Sequence, residues 1–257
     1  MRLALSKAAI ESQLATKFGE DVFKLNDRSY AEVLSTGIPA VDDLVQGFPR
    51  GAITEIFGSE SSGRSSLMFS ALAQATTQNE VCALVDTNDV LDLSSAVNAT
   101  VDLDRLLWIR CGGNLEHSFK AVDLLLHGGG FGLIFLDLAD VQAQEARRII
   151  SSWWYRFRRV VENTPTALVV IAQDSCVRSC ASLTLALGSK ESVWSTVSEK
   201  EVVSSAIIAS KPILANTRQP EKNNSPVTHA NLLTGNSIKL ERLKPIQLGS
   251  CQIRFTA

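Results

Sequence analysis

Net charge is nearly absent from this 257-residue sequence: 25 lysines and arginines stand against 27 aspartates and glutamates, a formal charge of −2. That excludes a protein that grips nucleic acid by bulk positive charge, since such domains read strongly basic. Long apolar runs are missing too. No window approaches the ~20 uninterrupted apolar residues of a membrane span, and the first residues turn polar by Glu11, too soon for a secretory leader. The five cysteines, Cys82, Cys111, Cys176, Cys180 and Cys251, contain no C-x-x-C pair, and His117, His127 and His229 stand apart from any ligand cluster. These absences leave neither a disulfide framework nor a metal-binding pattern, and the expectation is a soluble, cytoplasmic protein. What is present, 45% hydrophobic and 20% charged residues with 15 Gly and 7 Pro, excludes disordered and collagen-like chains and supplies a sizeable core.

Short apolar runs at 52–57, 81–86, 106–111, 132–138 and 167–172 alternate with stretches long enough for helices at 64–77, 90–98, 114–127 and 141–162. Continuous Val/Ile/Leu runs between helices predict an α/β fold, a mostly parallel sheet covered on both faces. Beyond Gln173 the pattern changes. Segments 181–187, 236–243 and 250–256 read as antiparallel strands added at one edge, with 203–209 a further candidate. The expected organisation is an N-terminal helix (5–17) and linker over 1–32, an α/β core over 33–187, a polar, mobile insertion over 188–235, and closing strands over 236–257.

The most informative stretch is Gly58-Ser59-Glu60-Ser61-Ser62-Gly63-Arg64-Ser65-Ser66. The two glycines have the spacing of G-x-x-x-x-G-K-[ST], and the loop follows a predicted strand and opens a predicted helix. Backbone N–H groups of such a loop point at phosphates, and the helix N-terminus adds a favourable dipole. Ser65 supplies a hydroxyl for Mg²⁺, and Asp137, after the apolar run 133–136, supplies the acid such a site needs on a neighbouring strand. Arg64 stands where the motif has Lys, and a planar guanidinium does not replace a compact ammonium between phosphates.

Ser35-Thr36-Gly37 through Asp42, the Glu60-Ser61-Ser62-Gly63 loop, Cys82–Asp86 with Leu91-Asp92, the strand ending in Asp137 and the strand before Gln173 occur in one order over about 33–187. In this set the chain resembles the RecA recombinase family. The resemblance implies a RecA-like P-loop fold, ATP and Mg²⁺ as ligands, and a setting of DNA repair, recombination and the SOS response. It also implies two departures. Asn88 stands where the family carries its catalytic Glu, with Asp89 a displaced substitute, and both DNA-binding loops, one after Asp137 and one after Gln173, are missing or shortened. The chain is therefore similar in character to the ImuA-type RecA-like accessory protein of translesion synthesis. That likeness implies weak or lost catalysis, an error-prone polymerase-like protein or RecA as partner, weak or indirect contact with single-stranded DNA, and self-association through the N-terminal helix. An active, single-stranded-DNA-dependent recombinase is the alternative, and a kinase-like or clock-type signalling ATPase a third reading.

Helical arithmetic on 141–162 gathers Ile149, Ile150, Trp153, Trp154, Phe157, Val160 and Val161 on one stripe. Arg147 and Arg158 then share an angle, as do Arg148 and Arg159, with Arg156 nearby. Two readings stand: a core helix with a solvated basic face, or a contact for DNA or an acidic partner.

Overall fold

The computed structural model describes residues 32–149, 151–194, 233–244 and 249–256. The expected helix at 5–17 and strand at 203–209 lie outside these residues. A two-stranded antiparallel pair, β1 (Val33–Leu34) and β2 (Phe48–Pro49), brackets helix α1 (Pro39–Val45). The Asp42 carboxylate fixes this entry, accepting from the Ser35 hydroxyl (2.6 Å), the Thr36 N–H (2.9 Å) and the Thr36 hydroxyl (2.8 Å).

The main sheet has eight strands in the order β10-β9-β8-β3-β7-β6-β4-β5. Strands β3 (Ala52–Gly58), β4 (Cys82–Asp86), β5 (Leu106–Arg110), β6 (Leu133–Leu138), β7 (Ala167–Ala172) and β8 (Leu183–Trp194) run parallel. Antiparallel β9 (Leu233–Lys244) and β10 (Gly249–Thr256) complete one edge. The expected mixed sheet is observed, with one correction: the segment 181–187, expected to add antiparallel at the edge, enters as β8 parallel to β3, and the antiparallel pairing begins only with β9. In β10, Ile253 is buried while Gln252 and Arg254 are exposed, as the alternation predicted. Strand β8 extends seven residues past the expected end at 187, because pairing with β9 satisfies its backbone through the polar run 188–192 that interrupts the apolar pattern.

Strand side chains alternate between two cores. Phe135, Val169 and Ile171 face one, with Leu67, Ala71 and Leu72 of α2 (Arg64–Thr77) and Ala96 of α3 (Leu93–Asn98). Ile134, Leu136, Leu168 and Val170 face the other, against Phe119, Val122 and Leu126 of α4 (Leu115–Gly128). Burial on both faces is why these strands read as unbroken apolar runs.

The segment 141–162 departs from expectation. It forms two helices, α5 (Ala143–Arg148) and α6 (Ser151–Val161), and Ile149 between them is extended (φ −55°, ψ 123°). The shared angles of Arg147 with Arg158 and of Arg148 with Arg159 required one continuous helix and do not hold. Ile149 packs against the second core, and an Ile-Ile junction carries no Gly or Pro to announce the break. The side chains of Arg147 and Arg148 lie outside the described residues. Helix α6 buries Trp154, Phe157 and Val161, roughly 1.5–3 kcal/mol for each fully buried side chain of this kind.

Candidate phosphate-loop site

Sheet register brings the site together at the C-terminal ends of the strands. Ile56, Ile171, Asp137 and Asp86 lie in one row across β3, β7, β6 and β4. The loop 58–63 leaves β3 at this edge and turns into α2 at Gly63, which adopts φ 86° as the residue preceding the helix. A side chain at Gly58 would strike the Leu187 carbonyl and come within 2.7 Å of the Ser62 hydroxyl, so only glycine fits. Ser59, Glu60, Ser61 and Ser65 are exposed, and Ser61 is at φ 58°. Ser62 is fully buried and its hydroxyl has no hydrogen-bond partner. A glycine-bounded loop at a helix N-terminus, an exposed Ser65 and an unsatisfied Ser62 hydroxyl form a donor set that fits a phosphate chain. Ser66 faces away, into a separate cavity of about 570 Å³ between α1, α2 and β10.

Arg64 does not follow the loop's open side. It is 7% exposed, and its Nη1 donates to the Ala172 carbonyl (2.8 Å) at the end of β7. Burial lowers its pKa, while Asp137, Asp140 and Glu60 oppose the shift. The guanidinium thus ties the start of α2 to the residue before half-buried Gln173. On Asp137 burial pushes the carboxyl up to about 6; the Ala139 N–H bond (2.8 Å) opposes this, Asp86 and Asp140 add to it, and Arg64 opposes it weakly.

The other acids at this edge, Asp86 and Asp89, are committed to structure. Asp86 accepts from the N–H groups of Val90 (3.1 Å) and Leu91 (2.9 Å) and from the Trp108 indole (3.1 Å). Asp89, at φ 60°, pairs with Arg110 (3.3 Å) and accepts from the Gly112 N–H (3.2 Å), so its carboxylate is engaged with β5 and the turn after it. Asn88 is half-buried and borders an open cavity of about 440 Å³ together with Gly112, Asp140, Gln142 and Glu145.

Sequence reasoning missed Glu55. Its fully buried carboxylate accepts from the Cys176 N–H (2.6 Å), the Val177 N–H (2.7 Å) and the Ser175 hydroxyl (2.8 Å). The segment after Gln173 is therefore clamped to β3, three residues before the phosphate loop. A charge within the apolar run 52–57 was the available signal, because a buried charge requires partners. Arg156, one of the expected contact arginines, pairs with Asp123 (2.5 Å) and lies 5.7 Å from the Trp153 ring centroid. Arg158 is half-buried and Arg159 exposed. Among the described residues no group of three or more His, Cys, Asp and Glu side chains forms a metal cluster, and no helix is long and apolar enough to cross a membrane.

A strand–loop–helix cradle with an acid two strands away defines a P-loop α/β protein. The RecA N-terminal domain family matches residues 4–151, more than half of the sequence. The chain belongs to the RecA family. Among its relatives, Protein RecA of Desulforapulum autotrophicum is 35% identical over 180 residues, covering 63% of this chain and 52% of that protein. Protein RecA of Ectopseudomonas oleovorans is 38% identical over 144 residues (53% and 41%), and that of Streptomyces venezuelae 37% over 131 residues (49% and 34%). The chain spans about a third to a half of the length of these curated relatives.

Proposed function

We propose that the chain is a RecA-like accessory protein of DNA repair and SOS-induced translesion mutagenesis, one that binds nucleotide, turns it over weakly and acts through protein contacts. The observation that carries this reading is Arg64: the cation at the motif's Lys position is held by the Ala172 carbonyl. The backbone cradle does not depend on that side chain. ATP would be held by the N–H groups of the loop, and Mg²⁺, which supplies charge neutralisation at the phosphates, by Ser65 and Asp137. Catalysis is weakened further because Asn88 can hold a water by hydrogen bonding but cannot take its proton. The Glu55 clamp supports the absence of a free DNA-binding loop after Gln173.

An error-prone polymerase-like protein or RecA is the partner this reading names, with single-stranded DNA met weakly or through that partner. Self-association through the N-terminal helix belongs to the same reading. Exposed Leu93 and Val97 of α3, Leu103 of the turn before β5 and Leu107 of β5, which is an edge strand among the described residues, support a protein contact on this side of the sheet. The alternative, an active DNA-dependent recombinase, is favoured by the retained Ser65, Asp137 and Gln173. Steady-state Mg²⁺-ATP hydrolysis with and without single-stranded DNA separates the two. The accessory reading expects slow, DNA-insensitive turnover, and rapid turnover stimulated by DNA and abolished in Asp137→Ala would replace it with the enzyme.

A further inference from the structure

The surface where α6 meets the turn after β7 carries four cations on three different segments. Lys244 of β9 donates through Nζ to the carbonyls of Arg178 (3.1 Å) and Ala181 (3.3 Å), which brings the end of β9 onto this turn. The Tyr155 hydroxyl of α6 lies 3.4 Å from the Ser179 hydroxyl and joins the helix to the same turn. Arg158 and Lys244 both act on the Cys180 thiol, and Arg178 on the Cys176 thiol, so the charges converge on one neighbourhood. Arg159 follows Tyr155 by one helical turn and shares its exposed face. Arg178 is an exposed arginine held at φ 58°, a conformation that a long side chain seldom adopts. Among the described residues, none of Arg158, Arg159, Arg178 and Lys244 is paired with a carboxylate. Arg156 differs, since Asp123 neutralises it.

We infer that this cluster is the docking surface for a short acidic segment of another protein, with Tyr155 as its aromatic anchor. Exposed Tyr beside unpaired arginines is the composition of an interface centre, and clustered arginines recognise carboxylates through several donors at once. Beyond the patch, cations of the same elements are already paired with carboxylates: Arg156 of α6 with Asp123 and Lys239 of β9 with Glu241. A nucleic-acid strand tracks a long basic path, which these neutralised cations do not extend, whereas a short acidic segment is satisfied within the patch. The inference deepens the reading that the chain acts through protein contacts by naming the surface and the chemistry of its partner.

The test is fluorescence anisotropy at low salt with a labelled oligo-glutamate and, separately, a labelled oligo-dT of equal charge. Oligo-glutamate is expected to bind the more tightly and to weaken by about tenfold in Arg159→Glu/Arg178→Glu, both exposed sites. The control Lys120→Glu/Lys239→Glu, at cations already paired with Glu116 and Glu241, is expected to retain binding. A circular dichroism melt verifies that each variant folds, and Arg159→Gln/Arg178→Gln, with half the charge change, gives a smaller loss of the same sign. Tighter binding of oligo-dT, released by the same pair, overturns the inference in favour of nucleic acid. Binding of neither probe, or equal loss in the control, returns the cluster to a solvated face. No ATP enters the assay, and the oligo-glutamate arm carries no phosphate, so a failed ATP site leaves that arm untouched.

Discussion

Asp137→Asn is expected to stabilise the nucleotide-free protein at neutral pH while damaging its nucleotide site. Burial raises the carboxyl from 3.8 to about 6, so the folded state holds this proton more tightly than the unfolded chain. Between pH 4 and 6 the folded state binds more protons, and this group's contribution to stability therefore falls as pH rises through that window. Above about pH 6 the ionised carboxylate costs the fold roughly two pKa units, about 3 kcal/mol at 1.36 kcal/mol per unit. Asparagine keeps an oxygen for the Ala139 N–H and carries no charge, so it removes most of that cost. Urea unfolding in EDTA at pH 7.5 should show the variant more stable by about 2–3 kcal/mol, the gain shrinking through pH 6 and vanishing near pH 4. A variant no more stable than wild type at pH 7.5, or a gain independent of pH, would refute the reasoning. In the same preparation Mg²⁺-dependent ATP affinity should fall, the mark of a carboxylate retained for function at the expense of stability.

Glu55→Ala leaves the Cys176 and Val177 N–H groups without their acceptor, and a loss of about 3–5 kcal/mol is expected from thermal or urea unfolding. Hydrogen exchange at residues 175–177 should rise in the same variant more than in the strands around it. Arg64→Lys gives up the bond to the Ala172 carbonyl and offers a compact ammonium to the phosphates. Its Mg²⁺-ATP affinity should rise several-fold by fluorescence titration, at a stability cost of about 1.5–3 kcal/mol for the lost charged hydrogen bond.

The core strands were legible because helices cover both faces of the sheet, so each strand wrote itself as a continuous apolar run. Strand β7 begins at Ala167 and ends at Ala172, as its run predicted. Helix α2 likewise spans Arg64–Thr77, opened by the loop glycine and closed before polar Gln78 and Asn79. Hydrophobic patterning carries no such record where structure rests on backbone pairing or long-range polar contacts. The added length of β8 comes from its ladder with β9, and the break at Ile149 from how two helices pack rather than from any local breaker. In the site, the loop and its acid were readable as spacing. The destination of Arg64 was not, since Ala172 lies 108 residues away along the chain, and the partners of Glu55 lie 120 or more residues from it. The fold brings these together only by placing β7 beside β3.

The central claim is that the backbone cradle holds a nucleotide although Arg64 is anchored elsewhere. Equilibrium titration with a fluorescent ATP analogue, with and without Mg²⁺, addresses it directly. Saturable, Mg²⁺-dependent binding in the sub-millimolar range is predicted, and absence of binding at millimolar analogue would contradict the account.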